Sequence, residues 1–216
     1  MASTASPYGF KPVNEVGGLP YAGSTRSFAL DPAGYGTNIF NGSLVYVATT
    51  GYLQLVTADG SDGTTNAFPA GTTLTGAVGV FVGCSYVNAQ GQTLFSQYYP
   101  ANALNAVAFV VDDPNTVFQV QADGSLTIAA LGANVTLANA QSTSTGSTTT
   151  GNSNVAISAT TKTTTAPFRV IGFPNMVGFS VVGDAYTDTF VKWNPGWHSD
   201  RKSTRLNSSH TDISRM

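Results

Sequence analysis

Residues 74–114 read LTGAVGVFVGCSYVNAQGQTLFSQYYPANALNAVAFVVDDP. Three apolar runs lie in this stretch: Ala77 to Val87, Leu94 to Tyr99, and Val107 to Val111. The breaks between them are Asn88-Ala89-Gln90-Gly91 and Pro100-Ala101-Asn102. Short runs of β-branched and aromatic residues between Gly, Asn and Pro predict strands. Few charges fall inside them, so they are expected to be buried on at least one face and to form the centre of a sheet.

Working outward, the same pattern recurs on both sides. Ser43 to Thr49 alternates, with Leu44, Tyr46 and Ala48 on one face and Val45 and Val47 on the other. Thr50-Gly51 marks a turn and Tyr52 to Val56 returns, which predicts a hairpin. Beyond the Asp112-Asp113-Pro114-Asn115 turn, Thr116 to Ala122 alternates again. Phe168 to Phe173 and Tyr186 to Trp193 read as further strands. Ser125 to Ala140 fits neither period, with a short helix expected around Ile128–Leu131. About nine short strands predict an all-β protein, a single β-barrel or β-sandwich domain over residues 36–199.

Composition supports this. Only 9% of the 216 residues are charged, and Glu15 is the sole glutamate. Exposed helix faces are normally filled with Glu, Lys, Arg and Gln, which lose little rotamer freedom there. This chain cannot supply them.

Two segments stand apart. Residues 1–35 carry Pro7, Pro12, Pro20 and Pro32 among several glycines, yet also Tyr8, Phe10, Tyr21 and Phe28. That mix predicts an extended N-terminal arm with aromatic anchors, docked on its own domain or on a neighbour. Residues 141–165 are rich in Ser, Thr, Asn and Gly and predict a long exposed loop, because such tracts bury too little surface to order themselves.

Residues 200–216, DRKSTRLNSSHTDISRM, resemble the in-frame translation of a sequencing adapter and are read as a non-native tail. Nine basic residues less four leaves five, and eleven acidic less two leaves nine, so about −4 remains. No basic patch for nucleic acid is expected. The opening MASTASPYGF has neither the charged start nor the apolar core of a signal peptide, and no run is long enough to span a membrane. The expectation is a soluble protein made in the cytoplasm, without membrane contact.

Chemistry is sparse. Cys84 is the sole cysteine, flanked by Val82 and Tyr86, and reads as a buried small hydrophobe. Outside the tail the single histidine is His198, and nothing places it near Ser96 or Cys84 for a nucleophilic triad. Asp59, Asp62, Asp112, Asp113, Asp123, Asp184 and Asp188 are the acidic candidates. Most sit beside Gly or Pro, where aspartate bonds its own backbone and favours turns. Asp59-Gly60-Ser61-Asp62-Gly63 lacks the spacing and the downstream glutamate of a calcium loop. Gly76 and Gly79 precede a strand, whereas a dinucleotide fingerprint opens a helix. Tyr98, Tyr99, Trp193 and Trp197 read as core or interface material before a sugar platform. No catalytic residue, cofactor or metal is expected.

Several phrases of the chain carry a resemblance. SPYGFKPV (6–13), GGLPYAGSTRSFAL (17–30), YGTNIFNGSLVYV (35–47), GVFVGCSYVNAQGQTLFSQYYP (79–100) and VDDPNTVFQVQADG (111–124) together resemble structural proteins of tailed phages, marine ones especially, of the head decoration or cement type. The similarity covers most of residues 5–193. It implies a virion structural protein on the capsid exterior, bound to the major capsid protein, often as a homotrimer, with the arm making the contact. On that reading Tyr8, Phe10 and Pro12 supply apolar anchors, while Lys11 and Arg26 pair with capsid carboxylates. The alternatives are a glycan- or receptor-binding module of a phage tail or surface appendage, and a carbohydrate hydrolase using two aspartates. The major capsid protein itself is disfavoured, since its shell fold needs a long charged helix.

Overall fold

The computed structural model describes residues 4–58, 77–142, 144–174 and 180–195. Asp59 to Gly63, His198, Trp197 and the 200–216 tail lie outside the described residues. Among the described residues eleven strands run in chain order: β1 Lys11–Glu15, β2 Arg26–Ala29, β3 Leu44–Val47, β4 Leu53–Leu55, β5 Gly79–Val87, β6 Thr93–Ser96, β7 Leu104–Val111, β8 Thr116–Gln121, β9 Asn134–Val135, β10 Phe168–Gly172 and β11 Asp188–Trp193. The ambiguous stretch holds a single 3₁₀ turn, Ile128–Ala130, where the short helix was expected.

The strands form two antiparallel sheets. One has the order β1-β8-β11-β10-β9; the other runs β2-β7-β5-β3-β4, with β6 paired to the far end of β5. Neither sheet closes on itself, so of the two expected architectures the sandwich is the compatible one. The predicted hairpin is present, with Val45 opposite Leu55 and Val47 opposite Leu53.

The sheets enclose one core between them. Val80 and Val111 of the second sheet meet Phe118, Val120, Phe168, Val170 and Val191 of the first. A second core lies on the other face of the second sheet, around Val45, Leu53, Phe81, Cys84, Ala108 and Val110. Its cover consists of Leu30, Ile39 and Tyr99 from the connecting segments. Tyr99 is fully buried; its hydroxyl donates to Ala103 O (2.9 Å) and accepts from Tyr35 N (2.8 Å). Over Gly79–Cys84 the sheet is covered on both faces, which explains why GVFVGC reads as a nearly continuous apolar run.

The segment read as an extended, docked arm is built into both sheets. β1 pairs with β8, and β2 pairs with β7. Upstream of β1, residues 4–8 lie across the outer face of the first sheet. There Ser6 N donates to Gln121 Oε1 (2.8 Å) and Tyr8 Oη donates to Asp188 Oδ1 (2.8 Å). The chain then rounds the β8 edge and puts Phe10 into the inter-sheet core. Phe10 is wholly buried, stacked on Phe168 at 4.6 Å and edge-on to Phe118 at 6.1 Å. The passage requires glycine. Gly9 and Gly42 both have positive φ, and a Cβ on Gly9 would stand 2.9 Å from Gly42 Cα. The boundary at residue 35 therefore does not divide an arm from a domain.

Among the described residues the tract at 141–165 is a loop without regular strands and largely exposed, as expected, but it is anchored at several points. Gln141 is buried, and Val155 and Ile157 belong to the inter-sheet core. Its backbone pairs with three distant segments: Asn152 with Asn41, and Ile157 with both Ala122 and Leu137. The tract is ordered by neighbours that accept and donate its hydrogen bonds, together with the two apolar side chains it buries.

Candidate docking surface

Two of the described candidate aspartates serve their own turns: Asp113 Oδ1 accepts from Asn115 N and Asp184 Oδ2 from Val181 N. Asp123 Oδ1 instead accepts from the distant Ala159 N and ties the 141–165 loop to the end of β8. Asp112 pairs with Arg26 at 2.6 Å. Asp188 differs: it is buried, and it accepts from Tyr8 Oη and from Ser180 N and Oγ. Burial and the neighbouring carboxylate push the Tyr8 phenol well above its usual value, so Tyr8 acts as a fixed donor. Among the described residues no three His, Cys, Asp or Glu side chains gather as a metal site. Cys84 is buried, and burial pushes its thiol up to about 12.

The sequence-predicted contact residues do not form one surface. Tyr8, Phe10, Lys11 and Pro12 line a cleft of about 640 Å³, facing Tyr21 and Gln97. Phe10 forms its floor, because its ring is spent on Phe168 and Phe118. That is the other outcome foreseen for an aromatic arm, docking onto its own domain. Arg26 is not among the lining residues. Its guanidinium is held by Asp112 and lies 5.3 Å from the Phe28 ring centre. The cleft side chains left for a partner are Lys11, Pro12, Tyr21 and Gln97, joined by Asn152, whose Oδ1 accepts from Gln97 Nε2 (2.6 Å).

Next to the cleft the sandwich is open. Val111, Phe109 and Val107 alternate onto the same face of β7. Val111 sits in the inter-sheet core and Val82 of β5 packs against its rim, but Phe109 and Val107 lie beyond it. The first sheet does not reach that far. The uncovered end of the face carries Phe95, 79% exposed, with Leu104 and Val107 also exposed. The Phe95 and Phe109 rings stack at 6.5 Å. The reading of Leu94 to Tyr99 as part of a buried sheet centre is thus corrected for β6. Its strand character was legible; the missing cover depends on how far another sheet extends, which local pattern does not encode.

No family model, no curated protein and no solved structure matches this chain.

Proposed function

We propose that this chain is a non-enzymatic virion structural protein that binds and stabilises the outside of a phage capsid. The observation that supports the reading is the cleft. It is wide, carries one cation at Lys11, and offers ring and proline surface from Tyr21 and Pro12 beside the amides of Gln97 and Asn152. Such a surface suits shape-matched docking of a loop of the major capsid protein, with Lys11 facing a carboxylate. Decoration then works by mass action: a protein that binds only the assembled lattice stabilises it. Many copies over one shell add avidity.

The test is co-sedimentation of the full chain with undecorated capsids. Lys11→Glu combined with Tyr21→Ala should abolish co-sedimentation while the circular dichroism spectrum is kept. Undiminished binding by that variant, or immunogold label confined to tails, rejects the proposal. The tyrosine and amide lining also favours a second reading, a glycan- or receptor-binding module. Saturable binding to host-surface glycan without binding to heads would select it.

A further inference from the structure

Natural sheets guard their edge strands with lysine, proline, bulges or a covering loop. Among the described residues β6 has no such guard. The run Gln92-Thr93-Leu94-Phe95-Ser96-Gln97 contains no charge and no proline. One side of β6 pairs with β5, from Cys84–Ser96 to Val87–Thr93. Among the described residues no strand or bridge occupies its other side. Thr93, Leu94 and Phe95 are all exposed. The open edge therefore coincides with the uncovered apolar face of Phe95, Val107, Leu104 and the half-buried Phe109.

We propose that this edge and face bind a second copy of the same chain, β6 pairing antiparallel with β6 about a two-fold axis. Two observations select that occupant, and a third sets how strongly it binds. First, an isologous contact needs a patch that complements itself, and a strand edge paired antiparallel with its own copy does so. Second, the patch is uncharged, so it offers a charged partner nothing to pair with; a copy of itself brings an equally neutral surface. Third, the exposed apolar side chains fall short of a full interface, which limits the contact to a modest one. Phe95, Leu104 and Val107 are 79%, 49% and 37% exposed. Together they present on the order of 300 Å² of apolar side chain per copy, taking about 150–250 Å² for a large one. A standard interface takes roughly 800 Å² per partner. The strand backbone, Phe109, and Leu94 on the opposite face of β6 carry the contact toward that size, which suits a modest, concentration-dependent dimer. This inference does not depend on capsid binding, because it is read in solution without capsids.

The experiment is sedimentation equilibrium of the full chain from about 1 to about 100 μM, a range that brackets a modest interface. The expected result is a shift toward twice the 22.3 kDa chain mass with rising concentration. Phe95→Lys should weaken the dimer at least tenfold, and Thr93→Lys, which charges the edge while keeping the Phe95 side chain, should do likewise. Both positions are exposed, so the fold should survive, as thermal melts will show. A monomer at every concentration overturns the proposal, including one whose Phe95 is shielded by the chain's own residues. So does a trimer, or a dimer indifferent to both substitutions.

Discussion

Gln141 offers the most direct test of how the Ser/Thr-rich tract is held. Its side chain is 2% exposed. Oε1 accepts from Leu44 N (3.0 Å), while Nε2 donates to Leu44 O (3.1 Å) and Val56 O (2.8 Å). One amide thus ties the start of the tract to β3 and to the residue after β4. Gln141→Ala removes three hydrogen bonds worth about 1 kcal/mol each and strands a buried Leu44 N–H. The expected cost is about 3 kcal/mol, a large share of the roughly 5–15 kcal/mol that holds a typical domain. For a chain of this size that is about 6–12 °C in Tm. Gln141→Glu should cost at least as much, since a carboxylate keeps the acceptor but cannot donate, and its charge would be buried. Urea unfolding followed by tryptophan fluorescence measures both, with the m-value checking that the unfolded state is unchanged. A Gln141→Ala loss below about 0.5 kcal/mol, within the range of an ordinary surface change, would refute the tether. The tract would then have to be ordered by something else.

Phe10→Ala should cost about 3–5 kcal/mol, as for other large core aromatics, measured by urea unfolding. Deleting residues 2–28 should leave an unfolded chain by circular dichroism, because it removes Phe10, all of β1 and most of β2. Cys84 should resist iodoacetamide in the native protein near pH 8 and react after denaturation, followed by mass shift. Its folded value lies above the ordinary 9.0, so the stabilisation tied to the buried thiol is complete below pH 9. It should then be lost as pH climbs through about 12, and Cys84→Ala should flatten that alkaline slope. Gly42→Ala should destabilise by about 1–3 kcal/mol, because the residue is held at φ +89° and its new Cβ would stand 2.9 Å from Phe10 N; a thermal melt shows it.

What the sequence disclosed follows from period and turn chemistry. The hairpin of β3 and β4, the strands β5, β7, β8, β10 and β11, and the 3₁₀ turn at Ile128 were all legible, because alternation and Gly, Asn or Asp breaks are local signals. β9 was not: two residues, Asn134 and Val135, carry no period, and their strand character comes from pairing with Phe168 and Arg169. The anchoring of the 141–165 loop was not legible for a related reason. Composition weighs what a segment can bury alone, whereas Ile157 is ordered by Gln121 O and its bridge to Leu137.

The N-terminal segment shows why the candidate site was only half legible. Proline and glycine spacing signalled a chain that is neither helix nor regular strand, and the aromatics signalled docking. Which surface receives the rings is decided by a contact 33 residues apart, Gly9 against Gly42, which no window of sequence contains. Once glycine at both positions lets the backbones touch, Phe10 N reaches Gly42 O at 2.9 Å and the ring falls between the sheets. Tyr8, two residues earlier, stays on the outer face with Asp188. Lys11, one residue later, is exposed again at the cleft mouth. Alternation across this crossing thus sorts one phrase, Tyr8-Gly9-Phe10-Lys11, into strap, passage, core and surface. Of the four, only Lys11 is left wholly free to meet a partner, which is why the docking test rests on it rather than on the buried ring.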